Sequence, residues 1–450
     1  MFTLQQIAKT IGGEILRKSE GSVTRVIHDS RLVRPGDLFI AIKGERTDGH
    51  AFLAQAFEGG ACGAIISDSK AIPENARNII LVDDVIAALH VLAAAWRKEL
   101  TATFVGITGT CGKTTTRSIL FHLLKETMNT YSAPGNYNTE IGLPLALLAM
   151  PQDSEVGLFE LGASAPGDIA PLASLLAPSI GVITLVGRGH LSGFGSVEAV
   201  AREKWDLVRA LPPSAKAFVN VDCPPLAALA EAYTGAITTV GSKDADLRGR
   251  VASTKRGLVI DTKSPPLHLK TRLLGAHNAT NILLAVAVAL DLGLSTGEVE
   301  ERIKTISAFP HRSNLIPAPF GYILDDSYNA NPESTHAALM TLASLELPVE
   351  HRSFVFGDML DLGDESPQFH DDVLRHAIEL GIAPIFPVGP LATQAAKRAS
   401  SKASLVFCKK DHLAECITDH LRESTALLVK GSLAVGLTRL VDLMGSGLDF

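Results

Sequence analysis

Apolar, strand-like segments alternate with helix-periodic segments along almost the whole of this 450-residue chain. Parallel β-sheets covered by helices have this alternation, because a helix usually carries the chain back between two parallel strands. At roughly 150 residues per domain, the length corresponds to about three domains. We therefore predict an α/β fold with three domains: a small α/β N-terminal domain at 1–98, a central parallel-sheet domain at 99–312 and a C-terminal Rossmann-like domain at 313–450.

Local patterns refine this division. Between residues 245 and 273, three short β-rich pieces with turn residues predict an antiparallel patch at the edge of the central domain. Pro310, Pro317 and Pro319 interrupt both periodicities, which favours a boundary near residue 312. The strands predicted for the third domain are 321–326, 353–358, 385–390, 404–408 and 426–432.

The composition is that of a folded chain, and it argues against a nucleic-acid partner and membrane insertion. Hydrophobic residues make up 46% and charged residues 20%, so several packed cores can form. The formal net charge is −7, whereas a general nucleic-acid binder needs a basic face. The longest apolar run, Ile282–Leu290, is too short to span a bilayer, and the N-terminus has no signal-peptide pattern. We therefore expect a cytoplasmic protein.

The cysteines are scattered and form no CxxC pair. This spacing predicts neither a disulfide framework nor a cysteine zinc site. The five cysteines are Cys62, Cys111, Cys223, Cys408 and Cys416.

The segment GITGTCGKTTT (106–116) follows a strand-like run at 101–108 and precedes a helical pattern. Glycines in such a loop let backbone N–H groups turn toward phosphate oxygens, and the N-terminus of the next helix adds a positive dipole end. Lys113 can place its charge on the β- and γ-phosphates, and the Thr114 hydroxyl can bind Mg²⁺. A strict Walker A motif would have glycine at Ile107, and a structural turn is the alternative. The strand–loop–helix context favours nucleotide binding and a central domain of the P-loop ATPase type.

Two side chains after the phosphate loop are candidates for metal or substrate contacts. Glu160 ends the strand-like segment VGLFEL, where a carboxylate beside a P-loop strand is well placed for Mg²⁺. A solvated glutamate at the strand end is the alternative. His190 follows the strand-like segment GVITLV, and because histidine is a less usual Mg²⁺ ligand, the residues alone favour a loop or substrate-contacting histidine.

Three further charged residues occur at informative positions. Lys204 lies in the helical segment 197–211, where the residues alone favour a solvent-exposed lysine. Asp325 and Asp326 end the predicted strand at 321–326, and adjacent residues of an extended chain face opposite sides. We expect at most one of the two aspartates to point at a ligand and the other to cap the turn.

Segments in all three domains resemble motifs of the Mur ligase family, the ATP-dependent enzymes that form amide bonds in peptidoglycan precursors. The sharpest is DDSYNANPES (325–334), and GITGTCGKTTT resembles the family's T-G-T-N-G-K-T loop with Cys111 where asparagine is usual. GNYNTEIGLPLALL (135–148) resembles a G-N-x-N-N-x-I-G-x-P element, with Thr139 for the second asparagine. In the segment 189–196, Ser192 occupies a position where the family commonly has glutamate. The other similar segments are DSRLVRPGDLFIAIKGERTDGHAF (29–52), FELGAS (159–164), GHLSGFGS (189–196), AREKWDL (201–207), GAHNATN (275–281), PHRSN (310–314), GDMLDLG (357–363) with Ser366 and His370, and VKGS (429–432).

The resemblance implies roles for individual residues. Thr114, Glu160 and His190 would contact Mg²⁺, and Lys204 would be carbamylated, which turns a cation into a carboxylate-like metal ligand. Lys113, His190 and Lys204 would be the catalytic residues. The implied nucleotide contacts are Gly109, Thr110, Cys111, Gly112, Lys113, Thr114, Thr115, Asn278, Asn281, Arg312 and Asp326. The implied substrate contacts are Ser30, Arg31, Lys43, Gly44, Thr47, Asp48 and Gly49 for the uridine diphosphate, Asn136, Asn138, Thr139 and Ser164 in the central domain, and Tyr328, Asn329 and Asn331 near the incoming dipeptide.

The resemblance also implies a reaction. D-Alanyl-D-alanine would be joined to UDP-N-acetylmuramoyl-tripeptide through an acyl phosphate, with ATP and Mg²⁺ as cofactors. We expect a monomer whose domain boundaries near residues 98 and 312 act as hinges. The alternatives are another ligase of this superfamily, such as a folate polyglutamate ligase, and a P-loop switch ATPase that forms no bond.

Overall fold

The structure, a computed structural model, contains three separate β-sheets with helices packed against them. This architecture confirms the predicted α/β class and the three-domain organisation, while the exact domain limits stay predictions. The residues that the structure describes are 2–18, 22–44, 47–254, 257–399, 405–409 and 412–445. Residues 45 and 46 of the segment expected to contact the uridine diphosphate lie outside this set.

The first sheet has the strand order β1-β5-β4-β3-β2, in which β1 pairs antiparallel with β5 and the other strands are parallel. Strands β3 and β4 are buried along their whole length, as expected for apolar strands in a parallel sheet. The elements of this domain are α1 (Leu4–Ile11), β1 (Glu14–Arg17), β2 (Arg25–Ile27), β3 (Asp37–Ile40), α2 (Leu53–Glu58), β4 (Gly63–Ile66), β5 (Ile79–Leu81) and α3 (Val85–Glu99).

The central sheet has nine strands in the order β14-β13-β12-β11-β10-β9-β6-β8-β7. Strands β6 to β11 are all parallel to one another. Strands β12, β13 and β14 form the antiparallel patch predicted at the domain edge. The elements are β6 (Thr103–Thr108), α4 (Lys113–Leu124), β7 (Thr130–Ser132), α5 (Gly142–Ala149), β8 (Val156–Glu160), α6 (Ile169–Leu176), β9 (Ile180–Ile183), α7 (Leu191–Phe194), α8 (Val197–Arg209), β10 (Lys216–Asn220), α9 (Pro224–Glu231), β11 (Ile237–Gly241), β12 (Leu247–Thr254), β13 (Gly257–Lys263), β14 (Pro266–Thr271), α10 (Asn278–Asp291) and α11 (Thr296–Lys304).

Helix α10 supports the phosphate loop through its packing against the following helix. Its residues from Ile282 to Ala289 are all buried, which matches the continuous apolar run in the sequence. It packs against α4, the helix that follows the phosphate loop. A helix that is apolar on every side must be enclosed, so α10 forms the centre of the core rather than a surface layer.

The third sheet has the strand order β15-β16-β19-β17-β18. Strand β15 pairs antiparallel with β16 and the other pairs are parallel. The elements are β15 (Asn314–Ala318), β16 (Gly321–Asp325), α12 (Pro332–Ser344), β17 (Arg352–Gly357), α13 (Ser366–Glu379), β18 (Ile385–Val388), α14 (Pro390–Ala399), α15 (Leu413–His420), β19 (Thr425–Lys430) and α16 (Leu437–Gly445).

Two predictions for the third domain were wrong. The segment at 404–408 begins outside the described residues, and its described part contributes an isolated bridge between Leu405 and Ile385 instead of a strand. Cys408 and Cys416 form a disulfide with a Cα–Cα distance of 5.9 Å, although no disulfide was predicted. Their eight-residue separation matches no recognisable sequence pattern, so only the fold brings the two thiols together.

The first and central domains share one hydrophobic core. Helix α3 packs against α5 and α6, and the core cluster that contains Leu89 and Trp96 continues into Phe104 and Phe159 of the central sheet. Arg97 reinforces this contact, since its Nε donates to the Leu176 carbonyl oxygen at 2.7 Å. Hinge motion near residue 98 stays a prediction. In the described part of the chain, no helix is both long and apolar enough to cross a membrane.

Candidate active site

The phosphate loop lies between β6 and α4, and two of its glycines occupy positive-φ conformations. Gly109 has φ +143° and Gly112 has φ +91°. A Cβ on Gly109 would lie 2.1 Å from Thr184 Oγ1, and one on Gly112 would lie 2.3 Å from Asn281 Oδ1. Both positions therefore require glycine, because a side chain would push the loop away from the residue after β9 and from α10.

The first residues of α4 carry the polar groups of the loop. Lys113 Nζ donates to the Gly109 carbonyl oxygen at 2.5 Å, and burial lowers the pKa of Lys113 although the charge of Glu160 opposes the shift. Thr114 Oγ1 donates to Glu160 Oε2 at 3.1 Å. Glu160 is only 4% exposed, so the alternative of a solvated glutamate at the strand end is wrong.

Lys204 is buried in the wall of the site. Lys204 is 2% exposed, so the prediction of a solvent-exposed lysine in this helix was wrong. Its Nζ donates to the Ala163 carbonyl oxygen at 3.4 Å. The charges of Glu203 and Asp168 also act on Lys204, although the described residues form no close ion pair with it. Burial, and then the charge of Lys113, lower the pKa of Lys204 to about 7.

His190 lies where the third domain approaches the central domain. It immediately precedes α7 with φ +56°, and its Nδ1 is 3.9 Å from Asp361 Oδ2 of the third domain. Burial and the charge of Lys113 lower the pKa of His190. The lowered pKa favours the neutral ring, which is the form that can accept a proton or bind a metal ion.

The two adjacent aspartates at the end of β16 face different surroundings, as predicted. Asp326 accepts from Lys430 Nζ at 2.5 Å and from the Ser313 amide at 3.0 Å. Burial alone would raise the pKa of Asp326, but the Lys430 ammonium lowers it below its usual value. Asp325 instead accepts from the Ser327 amide at 3.1 Å, and its Oδ2 lies 2.8 Å from His311 Nδ1.

The guanidinium of Arg312 lies over the aromatic ring of Tyr328. The Arg312 guanidinium carbon lies 4.2 Å from the centre of the Tyr328 ring. Arg312 Nε is buried and has no hydrogen-bond partner among the residues that the structure describes. A buried donor without a partner is costly, so this hydrogen bond is one that the surrounding described residues leave unmade.

These groups line one cavity of about 770 Å³ between the central and third domains. All the predicted catalytic, metal and nucleotide residues border it, as do all the predicted substrate residues of these two domains. The lining residues among them are Gly109, Thr110, Cys111, Gly112, Lys113, Thr114, Thr115, Asn136, Asn138, Thr139, Glu160, Ser164, His190, Lys204, Asn278, Asn281, Arg312, Asp326, Tyr328, Asn329 and Asn331.

The seven predicted residues of the first domain do not border this cavity. They surround the end of β3, where the Gly44 amide donates to the Thr47 carbonyl oxygen at 2.9 Å and the Ser30 hydroxyl donates to Gln55 Oε1 at 2.8 Å. The full set is Ser30, Arg31, Lys43, Gly44, Thr47, Asp48 and Gly49. Their role in binding a sugar nucleotide stays a prediction.

Sequence reasoning missed two cations of the site. Lys430 ends β19 and holds Asp326, and the VKGS segment that contains it was recognised without a role for the lysine. Arg117 lies on α4 and its Nε donates to Glu160 Oε1 at 2.8 Å. Glu160 lies 43 residues away in the sequence, so no local pattern indicates this ion pair.

The first turn of α12 connects the third domain to the loops of the central domain. Asn331 caps α12 through its Oδ1, while its Nδ2 donates to Cys111 Sγ in the phosphate loop at 3.0 Å. Glu333 Oε2 accepts from the Arg188 amide at 3.1 Å, and Arg188 Nη1 donates to Glu333 Oε1 at 3.3 Å. The predicted dipeptide contact Asn331 is thus also a contact between domains.

Glu333→Gln is expected to weaken this contact without disturbing the fold. Arg188 is about half exposed, so the charge pair is worth roughly 0.2–1 kcal/mol, which corresponds to at most about a fivefold loss in kcat/KM at low salt. Steady-state kinetics at low and high ionic strength would measure it, with the exposed Glu350→Gln as the matched control. An equal loss at both salt concentrations would contradict an electrostatic role.

The fold and the cavity define a three-domain nucleotide-dependent enzyme whose phosphate loop faces a second domain. Family models match nearly the whole chain: "Mur ligase family, catalytic domain" at 22–97, "Mur ligase middle domain" at 107–289 and "Mur ligase, glutamate ligase domain" at 311–433. The chain belongs to the Mur ligase family, and it is therefore an ATP-dependent ligase that forms amide bonds.

Individual relatives match over almost their full length. The UDP-N-acetylmuramoyl-tripeptide–D-alanyl-D-alanine ligase of Bacillus subtilis (strain 168) is 31% identical over 99% of each chain. The enzyme of that name from Synechocystis is 33% identical, covering 93% of this chain and 91% of its own. Among solved structures, MurF from Acinetobacter baumannii matches with a TM-score of 0.88, 29% identity and 99% coverage of both chains. The MurF ligase from Thermotoga maritima in complex with ADP has a TM-score of 0.81 and 27% identity, with 94% of this chain and 97% of that chain covered.

Proposed function

We propose that this enzyme joins D-alanyl-D-alanine to UDP-N-acetylmuramoyl-tripeptide, with conversion of ATP to ADP and phosphate, in peptidoglycan synthesis. The observation that carries the proposal is whole-chain similarity, at 30% identity or more, to relatives named for this reaction. The cavity between the central and third domains supports it, because the phosphate loop and the predicted dipeptide contacts border the same space.

The reaction needs two steps, because a carboxylate has no good leaving group for an attacking amine. The peptide carboxylate first attacks the γ-phosphorus of ATP, which breaks the bond to the β-phosphate oxygen and releases ADP. The uncharged amine of the dipeptide then attacks the acyl carbon, phosphate leaves, and the amine loses a proton. Lys113 and the loop amides stabilise charge on the phosphoryl oxygens in the first step.

We propose Mg²⁺ as the metal ion of this site, and the donor set fits it. Thr114 Oγ1 in the first turn of α4 and Glu160 Oε2 at the end of β8 lie 3.1 Å apart, and both are hard oxygen ligands. The described residues hold no cluster of three or more His, Cys, Asp or Glu that could bind a metal. Mg²⁺ suits such a site, because it usually keeps several waters and binds one or two protein groups together with substrate phosphates. When bound, it would neutralise charge on the transferred phosphoryl group.

We also propose that Lys204 is carbamylated. Its amine is buried in the cavity wall, and the charges of Glu203 and Asp168 only partly oppose the fall of its pKa to about 7. Much of the amine is therefore uncharged near neutral pH. The nitrogen lone pair of the neutral amine would attack CO₂, one C=O π bond would open, and a proton would pass to solvent. The resulting carbamate would replace a buried cation with an anionic oxygen ligand.

A substrate-dependence experiment tests the proposed function. Phosphate release from ATP should require both UDP-N-acetylmuramoyl-tripeptide and D-alanyl-D-alanine, and mass spectrometry should find the UDP-pentapeptide. The alternative of a switch ATPase predicts phosphate release without either acceptor. A folate polyglutamate ligase would instead consume ATP with a folate and glutamate and leave the sugar nucleotide unchanged.

A further inference from the structure

We propose that Arg117 is a positioning residue that holds one carboxylate oxygen of Glu160 and so directs the other oxygen to the phosphate loop. The inference rests on the magnesium site proposed above. Arg117 would not touch ATP or the metal ion, and its effect would pass entirely through Glu160.

The geometry divides the Glu160 carboxylate between two partners. Arg117 Nε donates to Oε1 at 2.8 Å, and Thr114 Oγ1 donates to Oε2 at 3.1 Å. Thr114 and Arg117 are three residues apart on α4, so they lie on one face of the helix and contact the carboxylate side by side. With Oε1 occupied by a guanidinium, Oε2 is the oxygen that faces the metal site.

Arg117 is itself fixed from a second direction. Its Nη1 donates to Ser132 Oγ, at the end of β7, at 2.8 Å. The Arg117 and Glu160 side chains are 8% and 5% exposed, so neither can swing into solvent without losing its partner. The guanidinium thus connects α4, β7 and β8 directly beneath the loop.

Arginine suits this position better than lysine. Its planar guanidinium offers donors in fixed directions, so two bonds to different partners determine the orientation of the group. A lysine ammonium is a compact point charge that would balance the charge of Glu160 without orienting its carboxylate. The distinction separates positioning from simple charge compensation.

The test measures how much Mg²⁺ strengthens ADP binding, because this quantity isolates the metal site from the rest of the nucleotide contacts. Isothermal titration of the full-length protein with ADP, in Mg²⁺ and in EDTA, gives the ratio of the two Kd values. Arg117→Met should reduce that ratio by about 10- to 100-fold, the usual cost of removing a group that orients a metal ligand, while Kd in EDTA changes little. Arg117→Lys should lose an intermediate amount, and it keeps the test valid if the methionine variant does not fold.

Two further variants serve as controls. Ser132→Ala removes the outer hydrogen bond and should have a smaller effect than Arg117→Lys. In a Glu160→Gln background, Arg117→Met should cause little additional loss of the Mg²⁺ effect, because Arg117 acts through the carboxylate.

The outcomes separate this inference from the proposed function. If the unmodified enzyme binds ADP equally well with and without Mg²⁺, the proposed metal site is wrong. If Mg²⁺ strengthens binding in the unmodified enzyme and equally in folded Arg117→Lys and Arg117→Met, the positioning role is wrong. Equal losses of ADP affinity in Mg²⁺ and in EDTA would also overturn the positioning role, since they would indicate a general structural role.

Discussion

The Lys113→Ala variant is expected to lose at least about 10²- to 10³-fold in kcat while the protein stays folded. The half-buried lysine places a positive charge in the phosphate loop, where negative charge develops during phosphoryl transfer. Burial already lowers its pKa, so removing the ammonium deletes a desolvated cation and should not weaken the fold. Phosphate release under saturating substrates measures the loss, and the denaturation midpoint measures stability.

Lys125→Ala is the matched control, because Lys125 is the exposed residue at the end of the same helix. The Lys125→Ala variant also removes one positive charge, at the other end of α4, and it should leave kcat unchanged. A Lys113→Ala enzyme with near-normal turnover would refute the role of the phosphate loop in the reaction.

The Lys204→Ala variant is expected to lose at least about 10- to 100-fold in turnover, the range for groups that support a metal site. Short carboxylates such as formate or acetate should restore part of the activity, because they can occupy the space of the missing carbamate. Arg202→Ala, which removes an exposed cation from the same helix, should behave like the unmodified enzyme. Failure of every small carboxylate to restore activity would leave the carbamate without support.

The carbamate also has a direct spectroscopic test. Because burial and Lys113 lower the pKa of Lys204 to about 7, the neutral amine should accumulate as the pH rises through about 7. The amine of an ordinary lysine becomes mostly neutral only above a pH of about 10.4. Labelling with ¹³C-bicarbonate should therefore produce a carbamate resonance that grows between about pH 6 and about pH 8 and is absent from Lys204→Ala. A resonance that persists in that variant would belong to another amine.

Features that depend on local sequence patterns were predictable. The phosphate loop was recognised because strand, glycines, lysine and helix follow one another within 106–116. The antiparallel patch was recognised because three β-rich pieces are separated by turns. Strand β15 was not predicted because Pro317 interrupts the strand pattern. A proline is tolerated there because β15 lies at the edge of the sheet, where one side of the strand has no neighbour that needs its N–H group.

Features that depend on distant contacts were not predictable from local pattern. The ion pair of Arg117 with Glu160 forms only when α4 packs over β8. The burial of Lys204 did have a signal: Val200 and Val208, four residues to either side, lie on the same buried face of α8. Hydrophobic neighbours at helical spacing should therefore outweigh the general expectation that a lysine is exposed.

The apolar core that α3 shares with the central sheet has a consequence for turnover. Pulling these two units apart would expose leucine, tryptophan and phenylalanine to water, so thermal motion should rarely do it. We therefore expect the predicted hinge near residue 98 to move little, and domain closure to come mainly from the residues after the boundary near 312. The turnover rate should then depend on solvent viscosity through the motion of the third domain, and the first and central domains should move together throughout the cycle.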